Sequence, residues 1–178
     1  MMENKKIVVF LDSGDTLINE STEIRDANDV VISADVIPGA DAMVRTLYEK
    51  GYTIALVADG LEQSFKNVLT QNGICNCFAA LINSENTGVC KPDGRMFKAA
   101  AEALDLTEKD FKRVVMVGNN LGRDVKGANE LGITSVFMAW TPRYPRTPAD
   151  ESEVPDYTIY NPVELVDLVD KLNSEYED

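Results

Sequence analysis

Aliphatic runs with almost no polar interruption alternate with segments of helical period along most of the chain, and this alternation leaves few folds open. "KIVVFLD", "YTIALVAD", "FAALIN", "RVVMVG", "TSVFMAW" and "DYTIY" read as strands. "ADAMVRTLYEK", "LEQSFKNVLTQN", "DGRMFKAAAEALD", "RDVKGANELG" and "NPVELVDLVDKL" carry apolar residues at helical spacing. Strands without an apolar/polar alternation must be covered on both faces, which a parallel sheet between two helical layers provides. The expected fold is a doubly wound, Rossmann-like three-layer α/β domain with a mainly parallel sheet. Local signals agree: Pro38-Gly39 precedes the first helix, and Gly51, Gly73 and Gly132 close helices. Asn161 is expected to cap the last helix, with Pro162 in its first position.

The 178 residues suit one domain with a real core. Two stretches break the rhythm. Residues 18 to 37 separate the first strand from its helix and carry enough pattern for a hairpin flap, in which "TEIRD" and "DVVISAD" pair. Residues 141 to 155 form a proline-rich, acidic loop. The tail from Asn173 to Asp178 reads as a frayed end.

Charge and composition narrow the chemistry. A formal net charge of -13 disfavours nucleic acid and anionic membranes as partners. No apolar run is long enough to span a membrane. The sequence contains no histidine, which removes the commonest general base and metal ligand. Catalysis would then fall to carboxylates, Lys, Ser, Thr, Cys or a metal held by oxygen. Cys75, Cys77 and Cys90 lack the number and spacing of a zinc site and read as buried or incidental thiols. With no secretory leader in "MMENKKIVVF", a reducing, cytoplasmic setting is expected.

In doubly wound sheets, ligands sit beyond the carboxyl ends of the strands. The residues expected there are Asp12 to Thr16 after the first strand and Ala58, Asp59 and Gly60 after the second. Lys91 follows the third strand, and Asn119, Asn120 and Asp124 follow the fourth. Several carboxylates on one edge call for a cation, and hard oxygen ligands suit Mg²⁺. The plainer alternative is a set of solvated loop charges.

The order and spacing of these residues resemble the haloacid dehalogenase-like (HAD) hydrolase superfamily. "VVFLDSGDTL" resembles its first motif, "IALVADG" the second, "CKPD" the third and "VVMVGNNLGRDVKGANELGI" the fourth. The resemblance implies that Asp12 attacks phosphorus and carries the phosphoryl group as an aspartyl-phosphate. It implies that Lys91 holds Asp12 ionised and meets the phosphoryl oxygens. It assigns Mg²⁺ to Asp12, the Gly14 carbonyl, Asn119 and Asp124. Thr16 is expected to brace the turn.

Three positions depart from the family pattern. Gly14 stands where the family's phosphatases carry an acid/base aspartate, Ala58 where they carry a hydroxyl, and Asn119 where they carry an acid. Asp15 and Asp59 are the expected substitutes for the missing acid/base, with Asp59 preferred; the alternative for Asp59 is a cap on the helix at Leu61. Backbone N–H groups around Ala58, Asp59 and Gly60 are expected to donate to phosphate. The gaps where the family inserts cap domains hold only the flap and core elements, which resembles its capless group. Arg143 and Arg146 read either as rim contacts for an anion or as surface residues of a mobile loop.

The expected function is thus a Mg²⁺-dependent phosphatase of phosphoric monoesters, slow or specialised, acting on a small molecule or on an exposed phosphate of a larger one. The alternative is a catalytically impaired domain that binds a phosphorylated ligand or a protein partner. The sequence leaves room for an oligomer. Dehalogenase and receiver-domain chemistry fit less well, since the first needs a helical cap and the second an acidic pair at the first strand's end.

Overall fold

The computed structural model describes residues 5–176. The chain runs β1 (Val8–Leu11), β2 (Ile24–Arg25), β3 (Val31–Ser33), α1 (Ala40–Glu49), β4 (Thr53–Ala58) and α2 (Glu62–Gln71). It continues with β5 (Ala80–Asn83), α3 (Ser84–Thr87), α4 (Gly94–Ala103), β6 (Val114–Gly118), α5 (Lys126–Glu130), β7 (Thr134–Met138), β8 (Tyr157–Ile159) and α6 (Glu164–Glu175). Six strands form one sheet in the order β5-β4-β1-β6-β7-β8, with every pairing parallel. The doubly wound, mainly parallel α/β fold expected from the sequence is the fold observed.

Strand residues alternate between two cores, as a sheet covered on both faces requires. Val9 and Leu11 of β1 pack with Met43, Val44 and Leu47 of α1 and Leu165 and Val169 of α6. Val8 and Phe10 face the opposite layer, Met96, Phe97, Ala100 and Ala101 of α4. The α1 stripe of Ala40, Met43, Val44 and Leu47 has the i, i+3, i+4, i+7 spacing of one helical face. Gly51 then ends that helix at φ 88, a conformation that any β-carbon would strain.

Strand β1 lies at the centre, with β4 on one side and β6 on the other. The chain winds outward through β4 and β5, then returns to wind outward through β6, β7 and β8. The reversal parts the loops at the carboxyl ends of β1, β4 and β6, and a crevice opens there. Asp12 follows directly on β1, its N–H bonded 2.9 Å to the Val117 carbonyl of β6.

Residues 18–37 do form the expected antiparallel hairpin of β2 and β3. It is docked on α2: Val31 N–H donates to Ser64 Oγ (2.9 Å), Ala34 N–H to Gln71 Oε1 (3.0 Å), and Asn67 Nδ2 to the Val31 carbonyl (2.9 Å).

Three local expectations change. Helix α6 begins at Glu164, because residues 161–163 form a turn in which the Asn161 carbonyl accepts from Glu164 N–H at 3.2 Å. Asn173, expected in a frayed tail, lies in the last turns of α6, and its Oδ1 accepts from Lys6 N–H at 2.9 Å and Ile7 N–H at 3.3 Å. That side chain stitches the final helix to the start of β1; Glu177 and Asp178 lie outside the described residues. The segment "RDVKGANELG" is not one regular helix, since a π-helical turn over Leu121–Val125 precedes α5. No helix among the described residues is long and apolar enough to cross a membrane. Cys75, Cys77 and Cys90 are free thiols, the first two half-buried and Cys90 exposed.

Candidate active site

The crevice at the sheet's carboxyl edge is a cavity of about 610 Å³. Asp12, Ser13 and Gly14 from β1, Ala58, Asp59 and Gly60 from β4, Lys91, and Asn119, Arg123 and Asp124 beyond β6 all line it. The hairpin adds Glu23, Arg25 and Asp29, and the segment before it adds Ile18 and Glu20.

At the floor sits a buried three-member charge cluster. Lys91 Nζ donates to Asp12 Oδ1 at 2.9 Å, to Asp124 Oδ1 at 2.5 Å and to the Val57 carbonyl at 2.8 Å. An ammonium has three donors, so all of them are engaged by the protein. The expectation that Lys91 meets phosphoryl oxygens therefore changes: as it stands, it fixes two carboxylates. Burial alone would depress its pKa, but Asp12, Asp124 and Asp59 outweigh burial and hold the ammonium above its ordinary value.

The widened turn after β6 explains how Asp124 reaches the cluster. One carbonyl, that of Asn120, receives the N–H groups of Arg123, Asp124 and Val125, while Asp124 Oδ2 accepts from Asn120 N–H at 3.0 Å. A π turn of this kind often marks a functional position. Gly118 is required beside it, because a β-carbon there would lie 2.5 Å from Asp124 Cβ. Burial and then the Asp12 charge push the Asp124 carboxyl up to about 7, against the downward pull of Lys91 and the Asn120 N–H.

Asp12 is the open member of the cluster. Its side chain is 14% exposed, against 2% for both Lys91 and Asp124. One oxygen is anchored by Lys91, and the other has only a long 3.5 Å contact from Thr16 Oγ1, consistent with Thr16 as a brace. A carboxylate with one oxygen fixed and the other facing a cavity has the geometry a nucleophile needs.

The remaining candidates fall in different places. Asp59 lines the cavity, but its Oδ1 accepts from Lys91 N–H (2.9 Å) and its Oδ2 lies 3.6 Å from Arg123 Nη1. It does not cap α2, whose first N–H groups include that of Glu62, bonded to Glu85 Oε2. Asp15 turns away: it is fully buried, sits at φ 50, accepts from Glu20 N–H at 3.1 Å and pairs with Arg143. It does not line the cavity, so its expected part as substitute acid does not survive; it is a structural lock for the turn. Gly60 N–H is already given to Ser84 Oγ at 2.8 Å, which removes it from the expected phosphate donors and leaves Ala58 and Asp59 at the strand end. Arg143 and Arg146 are both exposed and neither lines the cavity; Arg143 pairs with Asp15 and Arg146 donates to the Ala139 carbonyl, which fits the surface alternative.

Two cavity residues were not singled out from sequence. Arg123 is half-buried under the Tyr144 ring, 5.1 Å from its centroid. Its position just before Asp124 was the available signal. Glu20 carries a carboxyl raised by burial and by Asp15, and partly restrained by Arg143. No motif marks it.

The donor set can be tested against Mg²⁺. Asp12, Asp124, the Asn119 amide and the Gly14 carbonyl are all hard oxygen donors. Asn119 is buried in the cavity wall; its Oδ1 is the atom that could meet a cation, while its Nδ2 has no hydrogen-bond partner among the described residues. Among the described residues no three acidic or soft side chains converge, so only two carboxylates contribute. The chemistry fits a hard divalent cation, held with less charge than three carboxylates would supply.

Comparison with known proteins gives the family and the fold. The family model for haloacid dehalogenase-like hydrolases matches residues 4–132. The chain is 33% identical over 138 residues to the glyceraldehyde 3-phosphate phosphatase of Methanopyrus kandleri, covering 78% of this chain and 56% of that protein. It is 30% identical over 122 residues to the phosphoserine phosphatase of Thermus thermophilus, covering 68% of this chain and 46% of that one. It thus spans about half the length of these relatives. The crystal structure of a HAD phosphatase from Thermococcus onnurineus shares the fold, with a TM-score of 0.74 and 19% identity over 92% of this chain and 97% of that one. The chain belongs to the haloacid dehalogenase-like hydrolase family.

Proposed function

We propose that this member of the family is a phosphatase of phosphoric monoesters that works through an aspartyl-phosphate on Asp12. The observation that carries the reading is the asymmetric anchoring of Asp12, a cavity-lining residue: Oδ1 is fixed by Lys91 at 2.9 Å, while Oδ2 has only the 3.5 Å contact from Thr16. Lys91 keeps Asp12 aligned, so the carboxylate meets phosphorus without first reorganising. Asp124 holds Lys91 from the opposite side. Arg123, stacked on Tyr144, is the cation placed to meet a phosphoryl oxygen at the mouth. Bound Mg²⁺, held by Asp12, the Gly14 carbonyl, Asn119 and Asp124, would screen the charge between nucleophile and phosphate. Among the described residues the hairpin on α2, α2 itself and Tyr144 border the cavity, which supports the capless reading. The names of the relatives point to small, anionic three-carbon phosphate esters as the first substrates to try.

The lack of a carboxyl at Gly14 and of a hydroxyl at Ala58 favours a second reading, a domain that binds such a ligand without turning it over. One experiment separates them: phosphate release from an aryl phosphate and a panel of three-carbon phosphate esters, with and without Mg²⁺, for wild type and Asp12→Asn. Mg²⁺-dependent release that disappears in the variant supports the phosphatase. Release that survives in Asp12→Asn overturns it, and binding without release in the wild type supports the second reading.

A further inference from the structure

Cleavage of a phosphate ester leaves an alkoxide that needs a proton, and hydrolysis of an acyl phosphate needs a base for water. The cavity's other carboxyls are committed. Asp124 is held by Lys91 and Asn120, Asp59 by the Lys91 N–H and Arg123, and Glu23 and Asp29 both face Arg25 at 2.6 and 3.2 Å. Glu20 has a single ion-pair contact, Arg143 Nε 3.5 Å from Oε2, and its Oε1 has no partner among the described residues. Its carboxyl lines the cavity with Asp12 and fills the space directly over Gly14. A β-carbon built on Gly14 would lie 2.7 Å from Glu20 Cδ and 2.9 Å from Cγ, and closer still to Oε1.

We propose that Glu20 is the acid/base residue of this active site, its carboxyl reaching back from beyond the turn into the side-chain space that Gly14 leaves open. The inference rests on the phosphatase reading above and extends it. The turn is rigid enough for the task. Thr16, Leu17 and Ile18 N–H groups all converge on the Ser13 carbonyl, Asp15 N–H bonds the Ile18 carbonyl at 2.6 Å, and Glu20 N–H bonds Asp15 Oδ1 at 3.1 Å. Arg143 Nε, whose hydrogen goes to Asp15, lies 3.5 Å from Glu20 Oε2 as an ion pair and leaves Oε1 over Gly14.

The steps balance. As an Asp12 oxygen bonds to phosphorus, the phosphorus–oxygen bond to the leaving group breaks, and the Glu20 carboxylic acid gives its proton to the departing alkoxide, yielding the alcohol. Glu20, now a carboxylate, takes a proton from water as that water's oxygen bonds to phosphorus. The Asp12–phosphorus bond breaks, releasing phosphate, the Asp12 carboxylate and a re-protonated Glu20.

The test compares the full chain with Glu20→Gln, with Asp12→Asn, and with Glu20→Ala alone and combined with Gly14→Asp, all with Mg²⁺. Substrates are p-nitrophenyl phosphate, whose leaving group needs no proton, and a primary alkyl phosphate. Glu20→Gln should lower alkyl phosphate turnover about 10²- to 10⁴-fold. With the aryl ester it should still release a burst of nitrophenol and accumulate acid-stable phosphoprotein. Gly14 has no positive φ, so an aspartate fits once Glu20 is shortened, and Gly14→Asp should restore turnover to Glu20→Ala. Equal losses on both esters without phosphoprotein, or unchanged turnover, overturn the assignment while Asp12-dependent activity leaves the phosphatase reading standing. Wild-type turnover that survives Asp12→Asn removes both.

Discussion

Replacing Lys91 with methionine isolates what the ammonium does, because the unbranched thioether keeps the stem and removes the charge. The side chain is 2% exposed and contacts two carboxylates, one of them equally buried. Removing one partner of a buried ion pair costs about 3–5 kcal/mol. For a domain of this size that is a loss of roughly 6–20 °C in Tm. The pH dependence is more diagnostic. With Lys91 present, Asp124 is already pushed up to about 7 by burial and by Asp12. Without Lys91 the main downward pull disappears and the carboxyl rises further. A carboxyl raised in the folded state holds a proton that the unfolded chain has released, so stability falls as pH rises from about 4 to above 7. The deficit of Lys91→Met should therefore be largest near pH 8 and narrow toward pH 5, as the stranded Asp124 carboxylate takes up its proton. Thermal unfolding followed by circular dichroism at both pH values reads this directly. A deficit of the same size at pH 5 and pH 8, or one under about 1 kcal/mol, would refute the view that Lys91 offsets the burial of the Asp124 carboxylate.

Three further perturbations test the site and its frame. Gly118→Ala, which in a free strand would gain roughly 0.5–1 kcal/mol, should instead lose about 1–3 kcal/mol and most turnover, because the new methyl displaces Asp124; unchanged Tm and kcat would show that Asp124 can yield. Asn119→Asp adds a third carboxylate and should tighten Mg²⁺ binding roughly tenfold by calorimetric titration; an unchanged affinity would remove Asn119 from the ligand set. Asp170 joins α6 to Lys50 at 2.8 Å and to Tyr52 at 2.6 Å, and both contacts depress its pKa despite burial. Its side chain is 32% exposed, so Asp170→Asn should cost no more than about 1 kcal/mol. That contribution is present above the ordinary carboxylate range and lost as pH falls through the depressed value, so the two proteins should converge in acid.

The fold was legible because it follows from short-range patterning. Runs such as Val8 to Leu11 have no polar face to offer solvent, and that alone demands two covering layers. The positions of Asp12, Lys91 and Asp124 were legible for a related reason: each directly follows a strand whose neighbours are dictated by the winding rule. What failed to show was the use of individual donors and oxygens. Nothing in "CKPD" says that Lys91 spends its third hydrogen on the Val57 carbonyl, or that Gly60 N–H is claimed by Ser84 across β5. Asp15 looked available because it sits in the turn, yet its positive φ turns the carboxyl toward Arg143, far along the sequence. Glu20 was hidden by the same turn. Only the backbone reversal from Ser13 to Ile18 brings a residue six positions on into the space above Gly14.

Charge in the cavity explains why these details bear on binding as well as on chemistry. The lining carries carboxyls from Asp12, Glu20, Glu23, Asp29, Asp59 and Asp124, against cations from Arg25, Lys91 and Arg123 alone. Lys91 is enclosed by its partners and Arg25 faces Glu23 and Asp29, so an incoming phosphate meets Arg123 as its main attraction. The surrounding chain, at a formal -13, adds a repulsive field of its own. Even with Glu20 protonated the lining remains negative, and a phosphate dianion entering it would be opposed. A divalent cation between Asp12 and the phosphate reverses that balance locally, where screening by solvent is weakest. Binding and turnover should therefore share one dependence on Mg²⁺. Inorganic phosphate titrated into the protein by calorimetry should show measurable affinity only with Mg²⁺ present, and weaken again in Arg123→Gln. Equal phosphate affinity with and without the cation would mean that the protein's own dipoles overcome the acidic lining, and the electrostatic case for a metal at this site would fall.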